Sequence, residues 1–251
     1  MLVNLPSVMK PRHCGDLIRI GSEYDGGYLV SLSDVVESNA LLSFGLNDDW
    51  KFEKDFSKLN PVPCTVYDAS VDVRFWIKRT FIDFFKQPFK FSPFGKLVDY
   101  FLFFRGQRRH IRRYVGFNSV DGSMIDFYSA FEALGVTSKL FVKCDIEGGE
   151  YRILDDILAN SSNISGLVIE FHACDLFIEK IIKFIDDFPL NVVHVHVNSF
   201  SQVRSNDYLP SVIEVSFSSR EVYGFIEHLP CALDRPNGRG MLEFEVNFVN
   251  G

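Results

Sequence analysis

The sequence predicts an α/β domain built on a mostly parallel sheet, with antiparallel strands at its C-terminal end. Three observations predict it. Short apolar runs ending in Gly or an acid alternate with helical patterns through much of the chain. A strand-rich tail with alternating apolar residues follows the last strong helical pattern. The 251 residues give one domain with a sizeable core, and no internal repeat or low-complexity linker divides them.

The elements follow in order. Arg19 to Val30 holds two short apolar runs around Asp25-Gly26-Gly27, a turn signal that reads as a hairpin or as two glycines and an acid lining a ligand site. Ala40 to Gly45 is a buried strand ending in Gly. Thr65 to Asp68 is a second short strand, ending in an acid, and Arg113 to Phe117 is placed as a third. Met124 to Leu134 has helical spacing, with Met124, Ile125, Tyr128, Phe131 and Leu134 on one face. Leu140 to Asp145 is the next strand and Glu150 to Leu158 the helix after it. Gly166 to His172 is another strand, and Asp175 to Phe188 an amphipathic helix. Asn191 to Asn198 alternates, with His194, His196 and Asn198 opposite Val193, Val195 and Val197. Ser211 to Phe217 and Leu242 to Val249 are late strands, the second preceded by the turn Arg235-Pro236-Asn237-Gly238. Crossovers between parallel strands are expected to be right-handed.

Composition excludes several classes. The chain is 47% hydrophobic and 24% charged, which is ordinary for a globular protein, and its formal charge of −7 argues against a nucleic-acid binder. Five cysteines, widely spaced and without a CxxC pair, read as small buried hydrophobes in a reducing compartment. No apolar run reaches the ~18 residues of a membrane span. Met1 to Lys10 lacks the basic start and apolar core of a signal peptide, so a cytoplasmic protein is expected.

Residues 74–113 stand apart as an insertion. They hold eleven Lys or Arg, only Asp83 and Asp99 as acids, and ten Phe. A helical cap accounts for this mixture if its Phe residues pack on the sheet while Lys and Arg stay wet. The same mixture suits peripheral contact with a membrane or glycolipid.

Four features fall at strand ends, where open α/β sheets bind their ligands. The first is the loop Ser43-Phe44-Gly45-Leu46-Asn47-Asp48, whose Gly allows close backbone approach. The second is Asp68, placed to accept bonds from ribose hydroxyls or to cap a helix. The third is Asp145-Ile146-Glu147-Gly148-Gly149-Glu150, where a strand ends in two acids, turns on a Gly pair and enters a helix. The fourth is Glu170-Phe171-His172, which adds an imidazole able to act as a base near neutral pH. Asp145 and His172, joined by Glu170 or His196, are ligand types suited to Mn²⁺ or Mg²⁺.

These residues together resemble the FkbM-like family of S-adenosylmethionine-dependent methyltransferases. The resemblance is best across Leu140–Ile157 and extends to Gly166–His172, to Val193–Phe217, and to the Asp-Gly-Gly-Tyr and Ser-Phe-Gly-Leu-Asn-Asp-Asp-Trp stretches. It implies a Rossmann-like class I methyltransferase fold with a seven-stranded sheet. It also implies O-methylation of a sugar hydroxyl on a glycan, polysaccharide or glycolipid precursor. The residues it would place at the cofactor are Asp25, Gly26, Gly27, Ser43, Phe44, Gly45, Asp48, Asp68, Asp145, Ile146 and Glu147. Those at the chemistry are His172, Asp145 and His196, with His172 as the base. The sequence departs from the family at the first loop, where an acid usually stands two residues before the Gly and Ser43 stands here; Asp48 or Asp25 would supply that carboxylate. Two other classes stay open. A nicotinamide-dependent oxidoreductase is weakened by the lack of GxGxxG after the first strand. A non-catalytic scaffold would dock a membrane or partner through residues 74–113.

Overall fold

The computed structural model describes residues 1–72, 74–79 and 92–250. Its centre is a seven-stranded sheet. In chain order the strands are β1 (Ala40–Phe44), β2 (Cys64–Tyr67), β3 (Arg108–Ile111), β4 (Leu140–Cys144), β5 (Ile164–His172), β6 (Asn191–Val197) and β7 (Val212–Ser218). Their spatial order is β6-β7-β5-β4-β1-β2-β3. All neighbours pair in parallel except β7, which runs antiparallel between β5 and β6. This is the mostly parallel sheet with an antiparallel C-terminal end that the sequence predicts.

The central strands are apolar on both faces because both faces are covered. Leu42, Phe44, Val142, Cys144, Leu167 and Ile169 pack on one side with α4 (Phe127–Glu132), α5 (Leu154–Ala159) and α6 (Cys174–Asp187). Leu41, Val66, Phe141 and Val168 pack on the other with α1 (Leu32–Glu37) and α2 (Lys51–Leu59). Burying side chains such as Phe56 and Phe184 contributes about 1.5–3 kcal/mol each. The hairpin Leu17–Gly21/Gly27–Ser31 lies on that second face, and its Gly21 and Gly26 take positive φ (98° and 76°) at the turn. The Asp25-Gly26-Gly27 signal therefore makes the hairpin that the sequence suggests.

Three expectations are corrected. The third sheet strand is β3, not Arg113–Phe117; it sits inside the stretch 74–113 set apart as an insertion. Its sequence Arg-Arg-His-Ile has no apolar alternation because it is an edge strand with one neighbour and partly exposed side chains. Tyr114–Gly116 instead pairs with Met124–Asp126 outside the main sheet. The helix expected from Met124 starts at Phe127, where the Asp126 carboxylate accepts from Ser129 N at 2.7 Å. The late strand forms over Glu245–Val249 but pairs with Leu2–Pro6.

Within 74–113, a helical turn at 74–79 and α3 (Ser92–Phe103) are described, while residues 80–91 lie outside the described part. Trp76, Phe103 and Phe104 pack with Trp50 and Tyr100 against the sheet. Val98, Phe101 and Leu102 of α3 face outward. Among the described residues, no helix is long and apolar enough to cross a membrane.

Candidate functional site

The carboxyl ends of β1, β2 and β4 line up because each strand end hands its next residue to the neighbouring ladder. Gly45 N donates to Tyr67 O at 3.0 Å, Asp145 N to Phe44 O at 2.9 Å, and Asp68 N to Ile111 O at 3.1 Å. Above them opens a cavity of about 910 Å³. Asp25, Gly26, Gly45, Asp48, Asp68, Asp145, Ile146 and Glu147 all line it, as does Glu170. Tyr67, Arg113, Tyr114, Met124 and Arg152 complete the wall from elements that carried no motif.

Gly27, Ser43 and Phe44 do not line it. A Cβ on Gly27 would meet Ser22 O at 2.0 Å, so this glycine serves the hairpin. Ser43 is buried and donates to Glu53 Oε1 at 2.6 Å beneath the sheet face. Phe44 is core, packed on Tyr67 and Phe127. The reason is the alternation of β1: a residue in the strand points into one packed layer or the other, and only the residues after it reach the opening.

Gly45 has a reason of its own. Its φ is +90°, and a Cβ there would stand 1.7 Å from the Asp145 carbonyl oxygen. The close approach that requires glycine is that of the β4 backbone.

Asp68 holds the first loop in place. Its Oδ2 accepts from Leu46 N at 2.8 Å and Asn47 N at 2.9 Å, and its Oδ1 accepts from Ser70 N and Oγ at 2.7 and 2.6 Å. Burial alone would raise its pKa; the bonds from Ser70, Asn47 and Leu46 outweigh burial and lower it.

The floor of the cavity is acidic. Tyr28 is buried, and its hydroxyl stands 3.1 Å from Asp145 Oδ2 and 3.0 Å from Glu170 Oε2. One hydroxyl carries one proton, so it can donate to only one carboxylate. The other contact needs a proton on the carboxyl side, and Glu170 is where it belongs. Burial raises the Glu170 pKa well above the ordinary range, and the charges of Asp145, Glu214 and Asp25 add to it. Asp25 is likewise raised, first by burial and then by Asp145 and Glu214. The buried cation here is Lys143, whose Nζ donates to Gly45 O at 3.1 Å and stands 3.9 Å from Asp145 Oδ2. Burial would lower its pKa, but the charges of Glu53, Asp145 and Glu170 raise it, so it remains an ammonium.

His172 stands behind the rim rather than in the wall. Glu150, fully buried, accepts from its Nδ1 at 2.9 Å and also from Ile146 N and Gly148 N at 3.3 and 3.1 Å. One carboxylate thus fixes both the imidazole and the turn that carries Glu147. Nε2 stands 3.4 Å from Glu147 Oε2 and 3.7 Å from Glu170 Oε1. Burial would lower the His172 pKa; the Glu150 bond and the charges of Glu150, Asp145 and Glu147 raise it.

For a metal, the donor atoms of Asp145, Glu147 and His172 lie within 4.8 Å of one another. Glu147 takes the place expected for Glu170, whose oxygens are engaged by Tyr28 and by Asn198 Nδ2 at 3.1 Å. Two carboxylates and an imidazole whose other nitrogen is held by a carboxylate suit a hard divalent ion. His196 does not join them. It is buried in β6, bonded through Nε2 to Glu243 at 2.9 Å, with Nδ1 3.2 Å from Glu214. Burial would lower its pKa, but those two acids raise it well above the ordinary range.

Neither a protein-family model nor a curated protein matches this chain. Among solved structures, it is similar to a precorrin-6y C5,15-methyltransferase from Geobacter metallireducens, at 13% identity over 76% of this chain and 85% of that one, with a TM-score of 0.37. It is similar to a Streptococcus pneumoniae protein solved in complex with S-adenosyl-L-methionine, at 13% identity over 76% and 71% of the two chains and a TM-score of 0.39. A human methyltransferase 10 domain containing protein follows at 13% identity, 75% of each chain and a TM-score of 0.36. Likenesses this distant leave the chemistry to be read from the residues themselves.

Proposed function

We propose that this chain is an S-adenosylmethionine-dependent O-methyltransferase acting on a sugar hydroxyl of a glycan, polysaccharide or glycolipid precursor. The observation that carries it is the acidic cavity at the carboxyl ends of β1, β2 and β4, where Asp25, Asp145 and Glu170 crowd around one buried ammonium, Lys143. Within it the Asp145 carboxylate, with Asp25 lining the same cavity, is placed to face a cationic ligand. A sulfonium carries the positive charge that this carboxylate would face. That charge pattern, with the resemblance around Lys143–Glu150, favours methyl transfer over nicotinamide chemistry. The volume of about 910 Å³ is within the usual range for a cofactor-sized ligand.

When bound, the cofactor supplies an electrophilic methyl group on sulfur. Asp68 Oδ1 would hold its ribose in exchange for the Ser70 hydroxyl. Asp25 and Asp145 would face the sulfonium and orient it. The acceptor hydroxyl must be held close and in line, and it needs a base to take its proton. His172, just behind the rim, would be that base for an acceptor that reaches past Glu147: Glu150 fixes its ring, Nε2 would receive the proton, and the surrounding carboxylates would stabilise the imidazolium that forms. Asp145, Glu147 and His172 Nε2 would alternatively hold Mn²⁺ or Mg²⁺, which lowers the hydroxyl pKa directly. One nitrogen cannot do both. The exposed Val98, Phe101 and Leu102 of α3, beside Arg105, offer a face for a lipid-linked acceptor.

Calorimetric titration with S-adenosylmethionine and S-adenosylhomocysteine, with and without Mn²⁺, tests the reading. Saturable binding, weakened at least tenfold by Asp145→Asn, supports it. No binding of either ligand by folded protein overturns it. A Mn²⁺ requirement would assign His172 to the metal. Sedimentation with anionic vesicles tests the α3 face, and no pelleting of the protein removes that part.

A further inference from the structure

On the far side of β7 from β5, the sheet meets a loop of unusual length. Residues 226–244 contain no helix or strand. A connection this long without regular structure needs something to hold it. Three of its side chains reach the polar residues of β6: Cys231, Asp234 and Glu243.

The contacts among them are incomplete in a particular way. His194 and Asp234 have side chains only 3% and 2% exposed, and His194 Nε2 stands 3.0 Å from Asp234 Oδ1. The two face each other as an ion pair whose geometry falls short of a hydrogen bond. Among the described residues, eight buried side-chain polar atoms lack a partner, and four of them are His194 Nε2, His196 Nδ1, Asp234 Oδ1 and Glu243 Oε1. His194 Nε2 and Asp234 Oδ1 thus meet head-on without a hydrogen bond, an arrangement that a cation between them would satisfy. The other Asp234 oxygen is occupied, accepting from Cys231 N at 2.6 Å, and this turn brings the Cys231 sulfur to the same point. The donor atoms of His194, Cys231 and Asp234 lie within 4.8 Å of one another.

We propose that His194, Cys231 and Asp234 form a zinc site that fastens the loop 226–244 to β6. The chemistry of the set selects the ion. A thiolate, an imidazole and a carboxylate converging in a buried place suit Zn²⁺, whereas Mg²⁺ and Ca²⁺ prefer oxygen donors alone. Three protein donors leave a fourth position for water. Binding releases two protons to solvent, the Cys231 thiol proton and the His194 proton that faces Asp234, and the resulting thiolate and the Asp234 carboxylate balance the dication. The site also bears on the cavity. Asn237, three residues beyond Asp234, donates to Asp25 Oδ1 at 3.2 Å and to Glu214 Oε1 at 2.8 Å, so the clamped loop steadies a wall residue of the cofactor site.

Elemental analysis of the full chain, purified without chelator, is expected to give about one zinc per chain. Replacement by Co²⁺ should give a near-ultraviolet thiolate-to-cobalt band that is lost in Cys231→Ser and retained in Cys14→Ser. The unmutated protein gives a second readout that does not depend on a variant folding. Cys64, Cys144 and Cys174 are buried, so alkylation of the native chain reports on Cys14 and Cys231. Cys231 should be protected until a chelator is added, with Cys14 labelled equally in both states. Absence of retained zinc together with no thiolate band on Co²⁺ addition would overturn the proposal. So would a band that survives Cys231→Ser, or cobalt bound without any thiolate band, which would place the ion at Asp145, Glu147 and His172 instead.

Discussion

Replacing Gly45 by Ala separates two reasons for a glycine at the end of β1. If Gly45 exists to let a ligand approach, the apo protein should tolerate a methyl group. If it exists because β4 crosses it, the apo protein should not. A Cβ would stand 1.7 Å from Asp145 O, and backbone oxygens essentially never come within 3.0 Å of a Cβ, so the two must separate by at least 1.3 Å. The φ of +90° adds strain for any L side chain, of order 1–3 kcal/mol. Moving the Asp145 backbone also threatens its bond to Phe44 O and the Lys143 bond to Gly45 O, together about 1–3 kcal/mol. The sum is a loss of roughly 2–6 kcal/mol, a shift of about 1–2 M in the urea midpoint for a domain of this size. Equilibrium unfolding without any ligand measures it. A midpoint within ~0.3 M of wild type, accompanied by weaker cofactor binding, would refute the packing argument and restore the ligand one.

Three further outcomes are expected. Because the carboxylates around His172 raise its pKa, a His172 base is protonated over a wider range; methyl transfer should rise with pH, with a midpoint above 6.5, and Glu147→Gln should move that midpoint down. A flat profile between pH 5.5 and 8.5 removes His172 as the base. Glu170 is raised by burial, so the folded state binds the extra proton and wild-type stability falls as pH rises above the ordinary glutamate pKa of 4.5. The neutral Glu170→Gln should gain on wild type by about 1.4 kcal/mol per pH unit through that window, and parallel stability curves would contradict it. Asp68→Asn turns two acceptors of four bonds into one, and stranding the amides of Leu46 and Asn47 or of Ser70 should cost about 1–3 kcal/mol, read by thermal melting of the apo protein; an unchanged melting temperature would show that these bonds do not hold the loop.

Much of the cavity wall was legible because it follows strand ends. Gly45, Asp68, Asp145 and Glu147 come directly after apolar runs, and that position alone puts them at the opening. Residues inside the runs gave a weaker signal. Ser43 and Phe44 looked like part of the loop, but strand alternation turns them into the packed layers. β3 was not legible as a strand because an edge position imposes no apolar pattern, so its basic residues read as part of the insertion. His196 looked like part of a polar stripe open to a ligand, and the structure shows the stripe sealed by Glu214 and by Glu243 from the distant loop.

The sequence by itself determined the class of fold, the positions of the central buried strands and the acids that end them. These depend on periodicity and on the residue after each strand, which are local properties. Tertiary structure alone decided the state of those acids. Tyr28 reaches Glu170 across 142 residues, Asn237 reaches Asp25 across 212, and Glu150 is buried under His172. A carboxylate's charge depends on what surrounds it in space, and nothing in the order of residues states which distant groups those will be.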